Sequence, residues 1–347
     1  MFEELQQKKG FWSHKGPSGD IVLSTRVRLA RNIPSLNFPH RQSRTEFSLI
    51  RSIIERFAAE SIFRDNVRIL EVHALADDDR RFLRERNLIT SELETAQYGI
   101  AVVDSEEEFV IMVNEEDHFR IQVIEPGFQL MKAYQLADRV DNELNRFVAY
   151  AYSNEFGYLT ACPSNIGTAL KASVMLHLPL ISLANIVLDA VKLLREKKID
   201  IKGVVGEGTD TVGNIFIIAN QTSLGVSEVD IIERVDEAAR ILIDMEDERR
   251  DAILGNSGLA VENLVWRSYG VLKYSRSVSY IESINHLSHM RLGIVLSCIK
   301  NIDLYKINDL MVNMQWSHLQ RIAGKVFISV EECDVFRAEY LKQVLEQ

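Results

Sequence analysis

Carboxylates, a histidine and an arginine are concentrated in one short stretch, residues 113–120, which reads Val-Asn-Glu-Glu-Asp-His-Phe-Arg. The stretch follows an apolar run that is typical of a strand. Adjacent carboxylates can orient a planar cation and accept a proton from it, and a neighbouring arginine can hold a phosphate. A charged run after a strand is more often a solvated turn, so the stretch indicates a site only together with other segments.

Three further polar segments accompany this stretch. Residues 24–32 read Ser-Thr-Arg-Val-Arg-Leu-Ala-Arg-Asn, residues 162–165 read Cys-Pro-Ser-Asn, and residues 206–209 read Gly-Glu-Gly-Thr. Each segment is a weak signal alone. In this order they resemble the motifs S-x-R-x-R, N-E-E-D-H-x-R, C-P-[TS]-N-x-G-T and a late G-E loop of the ATP:guanidino phosphotransferases.

The resemblance covers residues 20–250 and continues beyond them in one branch of that family. Residues 126–130 (Pro-Gly-Phe-Gln-Leu) and 267–272 (Arg-Ser-Tyr-Gly-Val-Leu) are similar to segments of the bacterial protein arginine kinases. The family therefore implies a phosphotransferase whose acceptor is a guanidine and whose donor is ATP.

Composition is that of a folded enzyme. The chain has 347 residues, 46% hydrophobic and 26% charged, which is enough for a large core and a second domain. It has neither a long apolar run nor a signal-like N-terminus, so we expect a cytoplasmic protein that does not enter a membrane.

The net charge of −10 disfavours general nucleic-acid binding and favours a basic protein partner. The three cysteines, Cys162, Cys298 and Cys333, have neither CxxC nor Cys/His spacing. Free thiols are therefore expected, with no zinc site and no disulfide framework.

Apolar periodicity predicts helices and strands that do not alternate strictly. Helices are expected at residues 43–61, 77–88, 128–153 and 180–197. Strands are expected at residues 67–72, 98–103, 109–113, 119–124, 169–176, 202–205 and 214–219. This order favours an α+β domain over a doubly wound parallel sheet, and the resemblance implies an antiparallel sheet flanked by helices.

A domain boundary is predicted near residue 255. Ser227 can cap a last helix that runs to about residue 251, and residues 255–258 (Gly-Asn-Ser-Gly) are typical of a linker. Apolar residues then recur at helical spacing at 281, 284, 287, 290, 294 and 298. The prediction is a catalytic domain over residues 1–254 and a small helical domain over residues 255–347.

The acceptor side of the reaction requires carboxylates, because a guanidine must be oriented and must lose a proton as its nitrogen bonds to phosphorus. The resemblance implies that Glu116 and Glu207 are this pair. It also makes Cys162 a substrate contact that assists electrostatically and is not a covalent nucleophile. Glu115 and Asp117 are interpreted as supporting or solvated residues, and His118 as a structural histidine.

The donor side requires cations that hold the phosphates of ATP. Arg26 and Arg28 alternate along an extended segment, so both can face one side, and with Arg120 they match the family's phosphate-binding arginines. Mg²⁺ is expected to bridge the phosphates, held mainly by nucleotide and water rather than by a dedicated protein cage. The predicted nucleotide-binding residues are Ser24, Thr25, Arg26, Val27, Arg28, Arg120, Lys171, Ala172, Ser173, Val174, Met175, Lys202 and Gly203.

Four positions depart from the family pattern. Lys171 and Lys202 stand where the family has arginine, which keeps the charge but loses the bidentate fork. Asn87 stands where a histidine is usual near the adenine. In the C-terminal third, the phosphoarginine-binding motif R-D-x-x-R-A aligns with residues 333–338 (Cys-Asp-Val-Phe-Arg-Ala), so Asp334 and Arg337 could retain part of a regulatory pocket or simply end a helix.

Three functions remain open from sequence. The first is a protein arginine kinase, favoured because only 23 residues precede Ser24, whereas kinases of free guanidino compounds carry a substantial N-terminal helical domain. The second is a degenerate kinase that serves as a nucleotide- or phosphoarginine-binding scaffold, and the third is a kinase of a free guanidino compound. The resemblance further implies a homodimer, an activator of the McsA type, and substrates with exposed arginines among stress regulators and proteins sent to a Clp-type protease.

Overall fold

The computed structural model describes residues 5, 8–203, 211–256 and 258–346. An eight-stranded sheet runs through it in the order β2-β3-β4-β5-β1-β8-β10-β9, and β6 pairs with β7 in a separate hairpin. The strands are β1 Val22–Arg31, β2 Val67–Leu70, β3 Ile100–Asp104, β4 Phe109–Val113, β5 Phe119–Pro126, β6 Tyr152–Ser153, β7 Gly157–Tyr158, β8 Leu170–His177, β9 Ile199–Gly203 and β10 Ile215–Asn220.

Helices flank the sheet and form the C-terminal third. They are α1 Arg44–Glu60, α2 Asp77–Glu85, α3 Ser91–Thr95, α4 Leu130–Asn145, α5 Pro179–Leu183, α6 Val187–Glu196, α7 Glu228–Asn256, α8 Gly258–Tyr274, α9 Tyr280–Val295, α10 Leu304–Asn313, α11 Trp316–Ala323 and α12 Val330–Glu346. Strands β2 to β5 and β1 pair antiparallel with their neighbours in turn. The predicted α+β fold with an antiparallel sheet flanked by helices is confirmed. No helix of the described ranges is both long enough and apolar enough to span a bilayer.

Two compact units divide the described residues. One consists of Ser24–Val174 and Ala219–Glu237, and the other contains the remaining residues. The predicted division into sequence domains near residue 255 stays a prediction.

In the first unit, the predicted amphipathic helix α1 is confirmed. Ser43 and Glu46 form a reciprocal capping box at its start. Its apolar stripe is buried: Phe47, Ile50, Ile53, Ile54 and Phe57. Strands β3 and β4 are buried at every position, which explains why every residue of the two strands except Asp104, the last of β3, is apolar.

The helix predicted over residues 128–153 is longer than the helix in the structure, α4, which covers Leu130–Asn145. Helix α4 ends at Asn145, and the chain then enters the β6–β7 hairpin, in which Ser153 pairs with Gly157. Gly157 has a φ of +73°, and a Cβ there would lie 2.4 Å from the carbonyl oxygen of Gly167. The hairpin therefore depends on a glycine that the helical periodicity does not reveal.

Two other predicted helices have different bounds. The helix predicted over residues 180–197 is two helices, α5 and α6, and Asn185 between them has a left-handed φ of +57°. Helix α2 ends at Glu85 rather than at residue 88, and Asn87 beyond it has a φ of +61°. Asparagine tolerates this conformation better than most residues, so both breaks follow from local chemistry.

The second unit contains helices α8 to α12, which pack around buried residues that include Val265, Leu272, Leu287, Met290 and Leu341. At Gly293 an added Cβ would lie 2.3 Å from a methyl carbon of Val265, so this glycine permits the close approach of α9 to α8. The predicted apolar face of α9 is buried at Ile284, Leu287 and Met290, near the centre of the helix.

Three predictions about the second unit are wrong in part. Ile281 is half exposed, and Cys298 lies beyond the end of α9 rather than on its apolar face. Residues 255, 256 and 258 are helical rather than a linker, and residue 257 lies outside the described ranges. The predicted cap of α7 is confirmed, because the Ser227 hydroxyl accepts from the backbone N–H of Asp230 at 3.1 Å.

Candidate active site

The register of two neighbouring strands places three arginines of the first unit on one face of the sheet. In the β1–β5 pair, Arg26 lies opposite Ile124, Arg28 opposite Gln122, and Ala30 opposite Arg120. Residues two apart on a strand, and residues directly opposite on a neighbour, share a face. Arg26, Arg28 and Arg120 therefore point to the same side.

A small pocket of about 110 Å³ opens on this face. Its lining brings together three of the predicted nucleotide-binding cations, Arg28, Arg120 and Lys171. Asn165, from the loop that follows Cys162, lines the same pocket. Sequence reasoning quoted Asn165 within a motif but gave it no role.

Burial and mutual repulsion lower the pKa values of two of these arginines, Arg26 and Arg28. Burial, and then the charge of Arg120, lower the pKa of Arg26 to about 10. Burial, followed by the charges of Arg26 and Arg120, lowers the pKa of Arg28 to about 9, although Glu115 and Glu92 offset part of the effect. The buried Nε of Arg28 has no hydrogen-bond partner among the described residues. An anion in the pocket would supply that partner and relieve the repulsion.

Lys171 is held by the strand beside it. Its Nζ donates to the carbonyl oxygen of Asn220, and the Asn220 side chain accepts from the backbone N–H of Ala172 at 2.9 Å. Asn220 is buried and also donates to the carbonyl oxygen of Leu170 at 3.0 Å. Asn220 is a positioning residue that sequence reasoning missed, since only the fold places it beside β8.

The other predicted residues of β1 and β8 have different surroundings. Thr25 and Val27 are fully buried on the face of β1 opposite to the arginines, and Thr25 donates to the carbonyl oxygen of Gly127 at 2.7 Å. Ser24, Ala172 and Val174 are also buried, whereas Ser173 donates to the carbonyl oxygen of Arg26 at 3.4 Å. Their roles at the nucleotide stay predictions.

Three of the predicted nucleotide-binding residues belong to the second unit, and one predicted catalytic residue lies outside the residues that the structure describes. Met175 is half buried in β8, and Lys202 and Gly203 end β9, where Lys202 is exposed. Glu207 lies outside the described residues. Its proposed pairing with Glu116 stays a prediction.

Glu116 contacts Arg120, one of the residues that line the cationic pocket. The Arg120 guanidinium donates to the Glu116 carboxylate at 3.2 Å and to Glu115 at 2.5 Å. Glu115 has a fully buried side chain that also accepts from Thr90, whereas the Glu116 side chain is 43% exposed. Glu115 therefore positions the arginine, and Glu116 is accessible to a substrate.

Asp117 joins the segment of Glu116 to the segment of Cys162. One carboxylate oxygen of this fully buried residue accepts from Asn32 Nδ2 at 2.6 Å and from the backbone N–H of Ala161 at 2.7 Å. Glu116 precedes Asp117, and Cys162 follows Ala161, so the bond joins the two segments that carry the predicted acceptor residues. Asp117 is thus a supporting residue rather than a solvated one.

Cys162 begins a short 3₁₀ helix, Pro163–Asn165, and is half buried. Its Sγ lies 3.0 Å from the Ser164 hydroxyl, and the Thr160 hydroxyl donates to its carbonyl oxygen at 2.8 Å. A thiolate here would have a hydroxyl donor beside it. All three cysteines of the chain are free.

His118 is structural, as predicted. It is fully buried, its Nδ1 accepts from the backbone N–H of Ile33 at 3.0 Å, and its Nε2 lies 2.8 Å from the carbonyl oxygen of Asn37. Both ring nitrogens are therefore used within the fold.

Asn87 stands where the family has a histidine near the adenine. Its carbonyl oxygen accepts a hydrogen bond from Gln122 Nε2 at 2.8 Å.

Arg337 is buried within the helical third of the chain. Its Nε donates to the carbonyl oxygen of Met314 at 2.9 Å, and its Nη1 donates to that of Val278 at 2.9 Å and to the carboxylate of Asp334. Its Nη2 lies 3.3 Å from the sulfur of Cys333, which is fully buried. The guanidinium joins α12 to the segments that precede α9 and follow α10, while the regulatory role of Asp334 and Arg337 stays a prediction.

Metal ligands are sparse in the described ranges, which contain no group of three or more His, Cys, Asp or Glu side chains arranged to hold an ion. Two carboxylates, those of Glu115 and Glu116, form ion pairs with Arg120, which lines the cationic pocket. This donor set fits a cation that arrives with the nucleotide better than a resident one.

Two family models match the chain. The model of the ATP:guanido phosphotransferase C-terminal catalytic domain matches residues 48–249, and that of the protein-arginine kinase McsB C-terminal domain matches residues 258–347. The protein-arginine kinase of Bacillus subtilis (strain 168) is 38% identical over 344 residues, covering 98% of this chain and 94% of the relative. That of Symbiobacterium thermophilum is 40% identical over 331 residues, covering 94% of each.

Solved structures share the fold at lower identity. A lombricine kinase has a TM-score of 0.59 and 24% identity, and the comparison covers 70% of both chains. The duplicated taurocyamine kinase of Schistosoma mansoni, with bound transition-state-analogue components, has a TM-score of 0.60 and 22% identity over 71% of this chain and 37% of its own. These structures support the sheet and its flanking helices.

Proposed function

Because the chain belongs to the ATP:guanido phosphotransferase family, we propose that it transfers the γ-phosphoryl group of ATP to arginine side chains of proteins. The observation that carries the proposal is the contact between Arg120, which lines a cationic pocket, and the accessible carboxylate of Glu116. That contact joins a phosphate-binding group to a guanidine-binding group. The protein acceptor is supported by relatives named protein-arginine kinase, which match nearly the whole chain.

On the acceptor side, Glu116 would orient the planar guanidinium of a substrate arginine through two hydrogen bonds. A nitrogen of that guanidine then bonds to the γ-phosphorus while the bond from phosphorus to the β,γ-bridging oxygen breaks, and ADP leaves. The proton released by the nitrogen passes to a carboxylate, Glu116 or Glu207. Cys162 would stabilise the bound cation, and Ser164 would hold its sulfur in place.

On the donor side, Arg28, Arg120 and Lys171 would hold the phosphates, with Arg26 on the same face. Their charges are in place before the nucleotide binds, so stabilising the transferring group requires little rearrangement. Mg²⁺ would enter with ATP and neutralise charge on its phosphates. Ser24, Thr25, Val27, Ala172, Ser173, Val174, Met175, Lys202 and Gly203 are proposed to complete the nucleotide site through backbone or side-chain contacts.

Lysine in place of arginine at residues 171 and 202 would lower turnover without preventing ATP binding. An ammonium carries the charge but makes no bidentate contact with a phosphate. Lys171 also shares its donors with Asn220, which fixes its position. The readings as a nucleotide-binding scaffold or as a kinase of a free guanidino compound are not favoured by the comparisons.

The wider setting is proposed from the relationship to protein-arginine kinases. It comprises action in the cytoplasm, assembly as a homodimer through the helical C-terminal third, and stimulation by a McsA-type activator. The substrates would be proteins with exposed arginines, among them stress regulators and proteins destined for a Clp-type protease. The net charge of −10 suits basic substrates.

Phosphorylation of a basic protein tests the proposal. The protein would be incubated with Mg-ATP, with and without the activator, and acid-labile phosphate on arginine would be identified by mass spectrometry. Glu116→Gln should abolish the product, whereas the matched change Glu155→Gln, at an exposed glutamate of the β6–β7 hairpin, should not. Bound ATP without phosphoarginine under either condition would refute the kinase assignment.

A further inference from the structure

A second cationic pocket lies within the helical third of the chain. It has a volume of about 360 Å³ and is formed by α8, the segment after α9, the start of α10 and the end of α12. A cavity of this size suits a ligand as large as a nucleotide. Nothing in the proposed phosphoryl transfer uses it.

Three ammonium groups line this pocket: Lys273, Lys300 and Lys306. Its only lining carboxylate among the described residues is the exposed Glu346, although the chain as a whole has 50 acidic and 40 basic side chains. The pocket therefore has the opposite sign to the chain. Neither Lys300 nor Lys306 forms an ion pair with any residue that the structure describes, so both charges are available to an anion.

Lys273 is directed by aromatic rings rather than by a carboxylate. Its Nζ donates to the Tyr269 hydroxyl at 3.5 Å and lies 5.5 Å from the centre of that ring and 5.8 Å from the centre of the Tyr274 ring. The hydrogen bond to Tyr269 raises the pKa of Lys273, so the group remains charged at neutral pH. The rings fix the ammonium without neutralising it.

An aromatic wall completes the pocket. Trp266 is 46% exposed and meets Tyr269 edge to face, with ring centres 5.7 Å apart. Buried Leu345 and Ile299 also line the cavity and give it an apolar surface. An exposed indole beside three ammonium groups offers a planar group a stacking surface and a phosphate its counter-charges.

We propose that this pocket is a second ligand site, which binds a phosphate-bearing molecule with a planar aromatic group, such as a nucleotide. The lysines would hold the phosphate, and Trp266 would contact the planar group. The site does not depend on the catalytic pocket, because all of its residues belong to the other compact unit.

Counting ADP molecules per chain tests this site. In titration calorimetry, the full chain should bind one ADP at the arginine-lined pocket and another at the lysine-lined pocket. Lys300→Glu with Lys306→Glu should weaken the second by about ten-fold or more, which corresponds to about 1.4 kcal/mol or more, because the change removes two favourable charges and adds two unfavourable ones. Lys192→Glu, at an exposed lysine of α6, is the matched control and should leave both intact.

Fluorescence measurements, smaller ligands and a variant of the arginine-lined pocket identify the class of ligand and the place where it binds. ADP should quench Trp266 fluorescence, Trp266→Phe should lose that signal, and adenosine or inorganic phosphate alone should bind more weakly than ADP. Arg28→Ala should remove the catalytic ADP and spare the other one, so failure of the proposed function and failure of this site give different results. A single ADP in the unaltered chain would overturn the proposal, as would a double lysine variant that changes only the oligomeric state.

Discussion

Arg120, which lines the arginine- and lysine-lined pocket of the first unit, donates to the carboxylate of Glu116 at 3.2 Å. The two residues are four apart in sequence: Glu116 lies in the loop that joins β4 to β5, and Arg120 is the second residue of β5. In the proposed reaction, phosphates that enter the pocket would compete with Glu116 for the Arg120 donors, and the freed carboxylate would then bind the acceptor guanidine. The contact would therefore couple phosphate binding to the availability of Glu116 for the guanidine.

Replacing Arg28 by methionine should stabilise the nucleotide-free protein and weaken ATP binding. Burial and two neighbouring arginines lower the pKa of Arg28 to about 9, so its charged form costs folding free energy at neutral pH. Methionine keeps the apolar stem and removes that cost. Thermal unfolding should show a higher midpoint without ADP and a smaller increase when ADP is added.

The control is Arg51→Met, at a half-exposed arginine on the outer face of α1. It should lower the midpoint slightly or leave it unchanged, and it should keep the full ADP effect. A lower midpoint for Arg28→Met without nucleotide would show that the arginine is compensated inside the fold and is not waiting for an anion.

The arginine face could be predicted from sequence because it needs only strand periodicity. Arg26 and Arg28 are two residues apart on one strand, so any sheet places them on one side. Arg120 joins them only through the β1–β5 register, which periodicity could not predict; the resemblance implied a shared role for the three arginines but no strand pairing. Its contact with Glu115 is local in sequence, yet its burial depends on the packing of the whole unit.

Long-range positioning could not be read from sequence. Asp117 and Ala161 are 44 residues apart, and the bond between them forms because the loop before Cys162 folds back on the end of β4. Asn220 is likewise 49 residues from Lys171. From sequence alone, Asp117 and Asn220 could have been solvated turn residues. The types of the neighbouring residues do not distinguish a buried side chain from a solvated one. The end of α4 was missed for a similar reason, since Gly157 acts through contact with Gly167.

Replacing Asp117 by alanine should reduce kcat far more than it raises the KM for ATP. The change removes the acceptor of the Ala161 backbone N–H and one of the two acceptors of Asn32 Nδ2, so the Cys162 loop loses its bond to the segment that carries Glu116. Misplacing catalytic groups by about 1 Å can cost roughly 100-fold in rate. Steady-state kinetics on a protein substrate would separate the two parameters.

Asp65→Ala is the matched control, at an aspartate that is 84% exposed, and its kinetics should equal those of the unaltered chain. Because Asp117 is buried, stability must be followed alongside, and about 1–3 kcal/mol of destabilisation for each unsatisfied group is expected. A uniform loss of active protein, with unchanged kcat per folded molecule, would reduce Asp117 to a purely structural residue.

Replacing Arg337 by alanine should destabilise the helical third of the chain strongly. The change leaves the carbonyl oxygens of Met314 and Val278 buried without their donor. At roughly 1–3 kcal/mol per unsatisfied group, the free energy of unfolding should fall by about 2–6 kcal/mol. Urea denaturation followed by circular dichroism measures this, and Arg276→Ala, at an exposed arginine, serves as the comparison.

The same variant bears on regulation. If Arg337 acts only through these internal contacts, Arg337→Ala assayed well below its unfolding midpoint should respond to free phosphoarginine as the unaltered chain does. Loss of a phosphoarginine response in protein that is still folded would instead assign Arg337 to a ligand pocket.

A histidine pair between α8 and α9 should make the fold sensitive to mild acid. His289 Nδ1 lies 2.9 Å from the Ser268 hydroxyl, and His286 Nδ1 lies 3.1 Å from the same oxygen. Burial, and then the neighbouring charge of His286, lower the pKa of His289 to about 4 from an ordinary value of 6.5. The folded state therefore binds fewer protons than the unfolded state between those two values.

Mild acid should remove the stability that neutral His289 contributes. The stability associated with neutral His289 is fully present above about pH 6.5 and is lost as the pH falls toward 4, because the unfolded chain gains a proton that the folded chain refuses. Urea midpoints measured from pH 7.5 to 4.5 should fall less steeply in His289→Asn than in the unaltered chain. His40→Asn, at an exposed histidine, should reproduce the original slope. Parallel slopes for all three proteins would place the acid-sensitive group elsewhere, with buried His177 between Arg291 and Ser288 the next to replace.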